Sequence, residues 1–319
     1  MERRVIVEMN NQPLVSVPVI TYNSSKFVLE TLESIKAQTY QNIELIMSDD
    51  CSTDNTVELC RKWVEENKER FVRTQIITSE QNTGVSANLN RAEAACQGEW
   101  VKGIAGDDLL MPDCVESCVK YVIDNPTIYF LFARVIGFNQ HGIVKDCLKD
   151  FLDDSFFLLS AEKQYERLVI HGNCLPAPTF FYNNIIKREN NLTNDESIPL
   201  CEDMPKWINL TKLGFKLYLM DKEIVKYRMH NTSLSNEGTS VLFKKSQAIT
   251  YLKYRFKSHL HKEPRQALFC FLSLKRFTLN SSFFSWLLSI YELLEKSYCI
   301  ITHSKPIDKS YKHYFNPNI

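Results

Sequence analysis

Apolar and polar positions in the first hundred residues alternate between two periods. LVSVPVI (14–20) is almost continuously apolar, as a strand buried on both faces would be. The next stretch, SSKFVLETLESIKAQ (24–38), has apolar residues at helical spacing behind a serine cap. IELIMS (43–48) predicts a second strand, and STDNTVELCRKWVEENKER a second helix that Thr53 or Asp54 would cap. VRTQIIT (72–78) predicts a third strand, GVSANLNRAEAAC a third helix and WVKGIA a fourth strand. Strands and helices in strict alternation need right-handed crossovers, so the pattern predicts an α/β fold with a parallel sheet of the doubly wound, nucleotide-binding type.

Beyond Pro112 the pattern loosens. CVESCVKYVID predicts a helix, IYFLFARVIGF a strand or hairpin, and SAEKQYERLVIHG another helix; FKLYLM and EIVKYRM read as two short strands. No internal repeat or low-complexity segment occurs.

The 319 residues suffice for one large α/β domain with an appendage, and 44% hydrophobic with 24% charged residues is ordinary globular composition. Charge changes the picture. The net charge is zero, but residues 240–319 hold 13 Lys/Arg against 4 Asp/Glu, about +9, leaving 25 basic and 34 acidic residues in the first 239. An acidic body with a basic tail implies two jobs, with a boundary near Glu237–Gly238. MERRVIVEMNNQPL lacks the apolar core of a signal peptide, and no apolar run is long enough for a membrane span. The ten cysteines lack paired spacings and read as reduced thiols of a cytoplasmic protein. Cys114 and Cys118 share a helix face, but no His or second Cys pair accompanies them as a zinc site would require.

Ligands of a doubly wound sheet bind beyond the carboxyl ends of its strands. Those ends carry Thr21-Tyr22-Asn23, Asp49-Asp50, Asn82-Thr83-Gly84 and Gly106-Asp107-Asp108. No glycine-rich phosphate loop of the P-loop or dinucleotide type appears. A site of carboxylates without a lysine cradle would repel a phosphate, so a divalent cation must stand between them: a metal carrying a diphosphate.

VITYN, QTYQNIELIMSDDCSTDNT, NTGVSANLNRAEAACQGEWVKGIAGDDLLMPD and CEDMPKWINL…YRMHNTSLS together resemble glycosyltransferase family 2, of GT-A fold, over roughly residues 14–236. The resemblance implies a mostly parallel central sheet flanked by helices within residues 1–238. The nucleotide-binding half would lie at about 14–112, the acceptor and catalytic half at about 113–238, and a helical extension at 239–319. It also implies transfer of a sugar, with inversion, from a nucleotide-diphospho-sugar (a UDP-sugar in the first instance) to a hydroxyl of a saccharide or lipid-linked acceptor in surface-polysaccharide synthesis. Residue by residue, Thr21, Tyr22 and Asn23 match the segment against the nucleoside. Asp50 matches the aspartate that reads the base, Asp49 supports that loop, and Asn82 and Gly84 match a turn beside the nucleotide. Asp107 would contact ribose or metal-bound water, and Asp108 would hold Mn²⁺ or Mg²⁺. Glu202 and Asp203 match the catalytic pair, with Asp203 as general base and Glu202 holding the acceptor hydroxyl. His230 matches a third metal ligand or diphosphate contact, and Arg228 would neutralise the leaving diphosphate. NCLPAPTFFYN (173–183) matches an acceptor-side segment. Three positions depart from the family: Ile20 stands for its proline, Leu89 for an arginine that helps read the base, and Ala105 for the first acid of the longer motif.

The tail admits two readings. Leu287, Tyr291, Leu294 and Tyr298 lie at helical spacing with Phe283, Phe284 and Trp286 beside them. Such a helix either packs as a cap on the main domain or lies on anionic lipid, which would hold the protein peripherally at the inner face of the membrane. No nucleic-acid-binding motif accompanies the basic residues. Two rival functions stay open from sequence: a nucleotidylyltransferase, which would want a Gly-rich basic loop early in the chain, and a degenerate nucleotide-sugar-binding protein.

Overall fold

The structure, a computed structural model, describes residues 12–144, 152–230, 241–279, 282–302 and 304–305. The first half follows the alternation read from the pattern: β1 (Val15–Thr21), α1 (Val28–Lys36), β2 (Ile43–Asp49), α2 (Thr56–Asn67), β3 (Arg73–Thr78) and α3 (Val85–Ala95). Every residue of β2, and all but Ile20 of β1, is buried, which is why these strands read as continuous apolar runs. The expected fourth strand is two short pieces, β4 (Trp100–Lys102) and β5 (Ile104–Ala105), parted at Gly103. Then come β6 (Leu109–Leu110), α4 (Cys114–Asp124), β7 (Phe130–Asn139), β8 (Gly142–Val144), α5 (Asp154–Leu158) and α6 (Ala161–His171). β9 (Phe181–Asn183), α7 (Asn184–Glu189), α8 (Asp203–Lys212) and β10 (Tyr218–Arg228) complete this part.

Among the described residues the strands form one sheet in the order β3-β2-β1-β4-β9-β7-β10-β6, with β5 added to β1 and β8 to β7. β3, β2, β1 and β4 run parallel and β10 runs parallel to β7; β9 opposes both its neighbours, and β6 opposes β10. Thr21 is level with Asp49, Asp49 with Thr78, and Ile20 with Ala105, so four strand ends reach one edge together. β5 lies beside β1 while β6 lies at the far end of the sheet, yet only Gly106, Asp107 and Asp108 separate them. Such a link spans at most about 13 Å. The sheet must therefore curl until its last strand returns to its middle, and Gly106–Asp108 sits in the seam.

Apolar clusters cover both faces. One joins Val17, Val19, Leu45 and Met47 to α1 and α4 through Leu32, Ile35, Val115 and Val119. The other joins Ile46, Val101 and Phe132 to α6 and α8 through Leu168, Trp207 and Ile208. Two local expectations need correcting. Ser24 does not cap α1 with its side chain; its carbonyl accepts the amides of Phe27 and Val28, its hydroxyl donates to the Tyr22 carbonyl, and the helix begins a turn later. FKLYLM and EIVKYRM are not two strands. β10 is one strand whose register against β7 shifts between Met220 and Val225, so the apolar pattern breaks while the pairing continues. Asp54 does serve the start of α2, accepting the Thr56 amide at 3.0 Å from just outside the helix.

The expected boundary near Glu237–Gly238 lies outside the described residues. Past it come α9 (Val241–Thr250), α10 (Phe256–Lys262), α11 (Pro264–Leu279) and α12 (Ser282–Thr302). These helices share a small core of their own, including Ala248, Tyr251, Phe269, Leu274 and Leu288. They dock on α6: the Arg255 guanidinium donates to the carbonyls of Val169 and Ile170 at 2.7 and 2.8 Å, and Lys262 pairs with Glu166 at 2.7 Å. No described helix is long and apolar enough to cross a membrane.

Candidate active site

The loops after β1 and β2 are tied to each other. Asp49 is buried; its carboxylate accepts the Thr21 hydroxyl at 2.7 Å, and the amide and hydroxyl of Ser52 at 2.8 and 2.6 Å. Asn23 takes a positive φ of 50° and accepts the Thr53 amide at 2.8 Å, while Tyr22 stays exposed beside it. Asp50 is buried under the turn before α3. One carboxylate oxygen accepts the amides of Thr83 and Gly84 at 2.9 and 2.7 Å; the other accepts the Thr83 hydroxyl at 2.7 Å and Arg91 at 2.6 Å. A carboxylate has about four lone-pair positions, so all are taken. Any further donor reaching Asp50 must displace one of these, and the Thr83 hydroxyl is the one that can rotate away. Asn82 closes the turn by accepting the Gly84 amide at 3.1 Å. Gly84 is required: its φ is +88°, and a Cβ there would stand 2.7 Å from the Cβ of Pro199.

Gly106–Asp108 fills the seam. Gly106 leaves no room for a side chain, since a Cβ would come within 2.7 Å of Thr21 Cγ2. Asp107 meets His230 Nε2 at 3.0 Å through its carboxylate. Asp108 is only 2% exposed, and its carboxylate accepts the Arg228 amide at 2.8 Å. Burial drives the Asp108 carboxyl well above the usual carboxylate range, and the neighbouring Asp107 adds to this; the Arg228 amide, Lys102 and the Arg228 charge oppose it. The Arg228 guanidinium donates to the Asp107 carbonyl at 2.7 Å and pairs with Glu30 at 2.9 Å, between the rings of Phe27 and Phe138. Lys102, fully buried, donates to the carbonyls of Gly103 and Pro178 at 2.8 and 2.6 Å. A buried carboxylate destabilised by a second one, both offering hard oxygens, fits Mg²⁺ or Mn²⁺. Among the described residues no group of three or more His, Cys, Asp or Glu side chains could hold a metal ion. One or two carboxylates completed by ligand oxygens is how Mg²⁺ is commonly bound.

Glu202 and Asp203 stand at the start of α8, both partly buried. Burial first, and the Asp203 charge second, push the Glu202 carboxyl up to about 7. Asp203 is also raised by burial, against the Met204 amide, Lys206 and the Asn173 side chain, which favour its charged form. Asn173 donates to Asp203 at 2.6 Å while its own oxygen accepts the Leu175 amide at 3.1 Å. The pair of bonds fixes which way the amide points, and so where the Asp203 carboxylate is held.

The structure thus gathers Thr21, Asn23, Asp49, Asp50, Asn82 and Gly84 around two bonded loops, and Asp107, Asp108, Arg228 and His230 around the seam. Glu202 and Asp203 connect to the first group through the residues just before them: the Ile198 carbonyl accepts the Ser86 hydroxyl at 2.5 Å, and the Pro199 carbonyl accepts the Ser86 amide at 3.2 Å. Sequence reading missed three residues. Arg91 reaches Asp50 although Leu89 occupies the family's arginine position; its signal was the i, i+3 spacing from Asn88, which places both toward the turn. Asn173 opens the NCLPAPTFFYN segment, which the resemblance singled out, and could have been suspected there. Lys102 sits inside an apolar strand run and gave no signal.

A family model described as glycosyl transferase family 2 matches residues 16–176. A putative teichuronic acid biosynthesis glycosyltransferase, TuaG of Bacillus subtilis, is 25% identical over 263 residues, which cover 82% of this chain and 95% of that protein. Chondroitin synthase of Escherichia coli is 35% identical over 233 residues, 72% of this chain but 30% of that protein. Among solved structures, S. aureus TarS 1-349 in complex with UDP-GlcNAc superposes with a TM-score of 0.57 at 20% identity, covering 82% of this chain and 72% of that one. A match covering 82% of this chain spans 43% of another S. aureus TarS structure. At this identity the structural likeness concerns the fold alone, and that fold is GT-A.

Proposed function

The chain belongs to glycosyl transferase family 2, and from that premise we propose that this glycosyltransferase moves a sugar, with inversion, from a UDP-sugar to a saccharide or lipid-linked hydroxyl in surface-polysaccharide synthesis. The bound nucleotide-sugar of TarS and the polysaccharide names of TuaG and chondroitin synthase support the donor class and the process. The observation that carries the reading is the pair of adjacent carboxylates at Asp107 and buried Asp108, on the same edge as the Asp50 turn, where four strand ends meet.

In this reading the Asp50 turn receives the base, with Arg91 in place of the missing arginine, and Thr21, Tyr22 and Asn23 border the nucleoside. Asp108 would hold Mg²⁺ or Mn²⁺, with Asp107 and His230 beside it; when bound, the ion neutralises charge developing on the departing diphosphate. Arg228 places a second positive charge behind the same turn. Asp203, oriented by Asn173, takes the proton of the acceptor hydroxyl, and Glu202 holds that hydroxyl. Inversion follows if the hydroxyl attacks opposite the departing diphosphate in one displacement.

Calorimetric titration of UDP and GDP, with and without Mn²⁺, tests the donor site in the protein and in Asp108→Ala. Metal-dependent UDP binding, weakened at least tenfold in the variant, is expected. Binding of neither nucleotide, with or without metal, would remove the donor site. A preference for GDP would keep the metal site and reassign the base.

A further inference from the structure

The outward face of α12 is apolar. Trp286 is 59% exposed, Leu293 65% and Leu294 62%, and Ile290 and Tyr298 are exposed with them. At 3.6 residues per turn, positions 286, 290, 293 and 294 form one stripe along the helix. The opposite side faces inward, where Leu288 is buried in the extension's core with Leu287 and Tyr291 packed against it. The helix's acids lie away from the stripe: Glu295 is buried and paired with Arg265, and Glu292 is partly buried. Lys296 is exposed at the edge of the stripe, and Lys245, Lys257 and Lys305 are exposed elsewhere on the extension. With 13 basic and 4 acidic residues over 240–319, the segment carries about +9.

We propose that the extension docks on an anionic lipid surface, α12 lying in the plane of the interface with Trp286, Ile290, Leu293 and Leu294 inserted and the lysines against the headgroups. Charge selects this occupant: a second copy of the extension would bring a segment of net charge about +9 against another of the same sign, whereas anionic headgroups neutralise it. Composition selects the orientation. At 21 residues α12 is about 32 Å long, enough to span a bilayer, but it falls short of the apolarity needed to cross one; a helix apolar along one stripe and basic at its margin lies in the interface. The extension also touches the catalytic half. Lys253 and Tyr254 bond the Asp195 carboxylate at 2.6 and 2.7 Å, on the segment that leads into Glu202 and Asp203. Docking would therefore set the acceptor side of the site at a fixed height above the lipid. The proposal rests on the surface of the extension and not on the transfer chemistry, so either can fail alone.

Co-sedimentation of the full chain with vesicles tests it, using phosphatidylcholine with roughly 30 mol % phosphatidylglycerol against phosphatidylcholine alone. Binding to the anionic vesicles at least tenfold stronger than to the neutral ones, and weakened by salt, is expected. The double variant Trp286→Ser, Leu293→Ser should lose it about tenfold or more. Leu158→Ser, an exposed leucine on α5, should not, with circular dichroism showing each variant folded. No binding, equal binding to neutral vesicles, or binding indifferent to the double variant would each overturn the proposal. So would a dimer that the double variant dissolves while vesicles stay unbound, which would make a second copy the occupant.

Discussion

Glu202 and Asp203 hold their protons more tightly than ordinary carboxyls because each is shielded from water and Glu202 also faces the charge of its neighbour. With Asp203 as the base, transfer requires its deprotonated form, so activity should rise with pH and reach its plateau at a higher pH than an ordinary aspartate would set. Asp203→Asn should cut turnover about 10²- to 10⁴-fold while calorimetry finds UDP binding retained; loss of both together would make Asp203 a folding residue. Stability has the opposite sign. A carboxyl whose folded pKa lies above its unfolded 4.5 costs nothing at low pH and destabilises progressively as pH rises toward 7. Glu202→Gln should therefore gain on the order of 1 kcal/mol at pH 8 and nothing at pH 4, read from urea denaturation at the two pH values. An equal gain at both would show that ionisation is not the cause. At this scale the sequence displayed Asp49, Asp50, Asp107 and Asp108 because carboxylates at strand ends are conspicuous, whereas Glu202 and Asp203 were pointed to by the family resemblance. It could not show that Asp50 is fully bonded or that Asn173 orients Asp203, since those partners lie 33 and 30 residues away.

The start of α3 and the segment before α8 meet at Gly84 and Pro199, joining the Asp50 turn to the stretch that leads into Glu202 and Asp203. Alanine at Gly84 would need a left-handed φ and would press its Cβ into Pro199. Gly84→Ala should cost about 1–3 kcal/mol in thermal or urea denaturation and weaken UDP binding. An unchanged midpoint would mean the Pro199 segment shifts freely out of the way. Elements were legible where their pattern is local: β1, β2, α3 and α4 fall within a residue or two of their apolar runs. β10 was not, because its irregular register is dictated by two partners, β7 and β6, rather than by its own alternation. Lys102 defeated the pattern for the same reason: its ammonium is satisfied by the carbonyls of neighbouring Gly103 and of Pro178, 76 residues away, and the second partner is invisible in local sequence.

Asp195 fastens the extension to the segment before α8 through Lys253 and Tyr254. Asp195→Ala removes both bonds at a cost of about 1–2 kcal/mol, so hydrogen exchange should quicken across residues 251–262 and stay unchanged in the sheet. Unaltered protection there would leave docking to the bonds between Arg255 and α6. By itself the amino-acid sequence determined the α/β class, the family, the strand-end acids and the basic, aromatic tail, because each is written in local periodicity or in a motif. The tertiary structure alone decided that the sheet curls, placing Gly106–Asp108 in a seam between β5 and β6. It also decided that Arg91 rather than residue 89 meets Asp50, that the extension grips Asp195, and that one apolar side of α12 is buried while the other faces out. Periodicity states how apolar a helix is. Which of its faces is covered depends on neighbours that only the folded chain supplies.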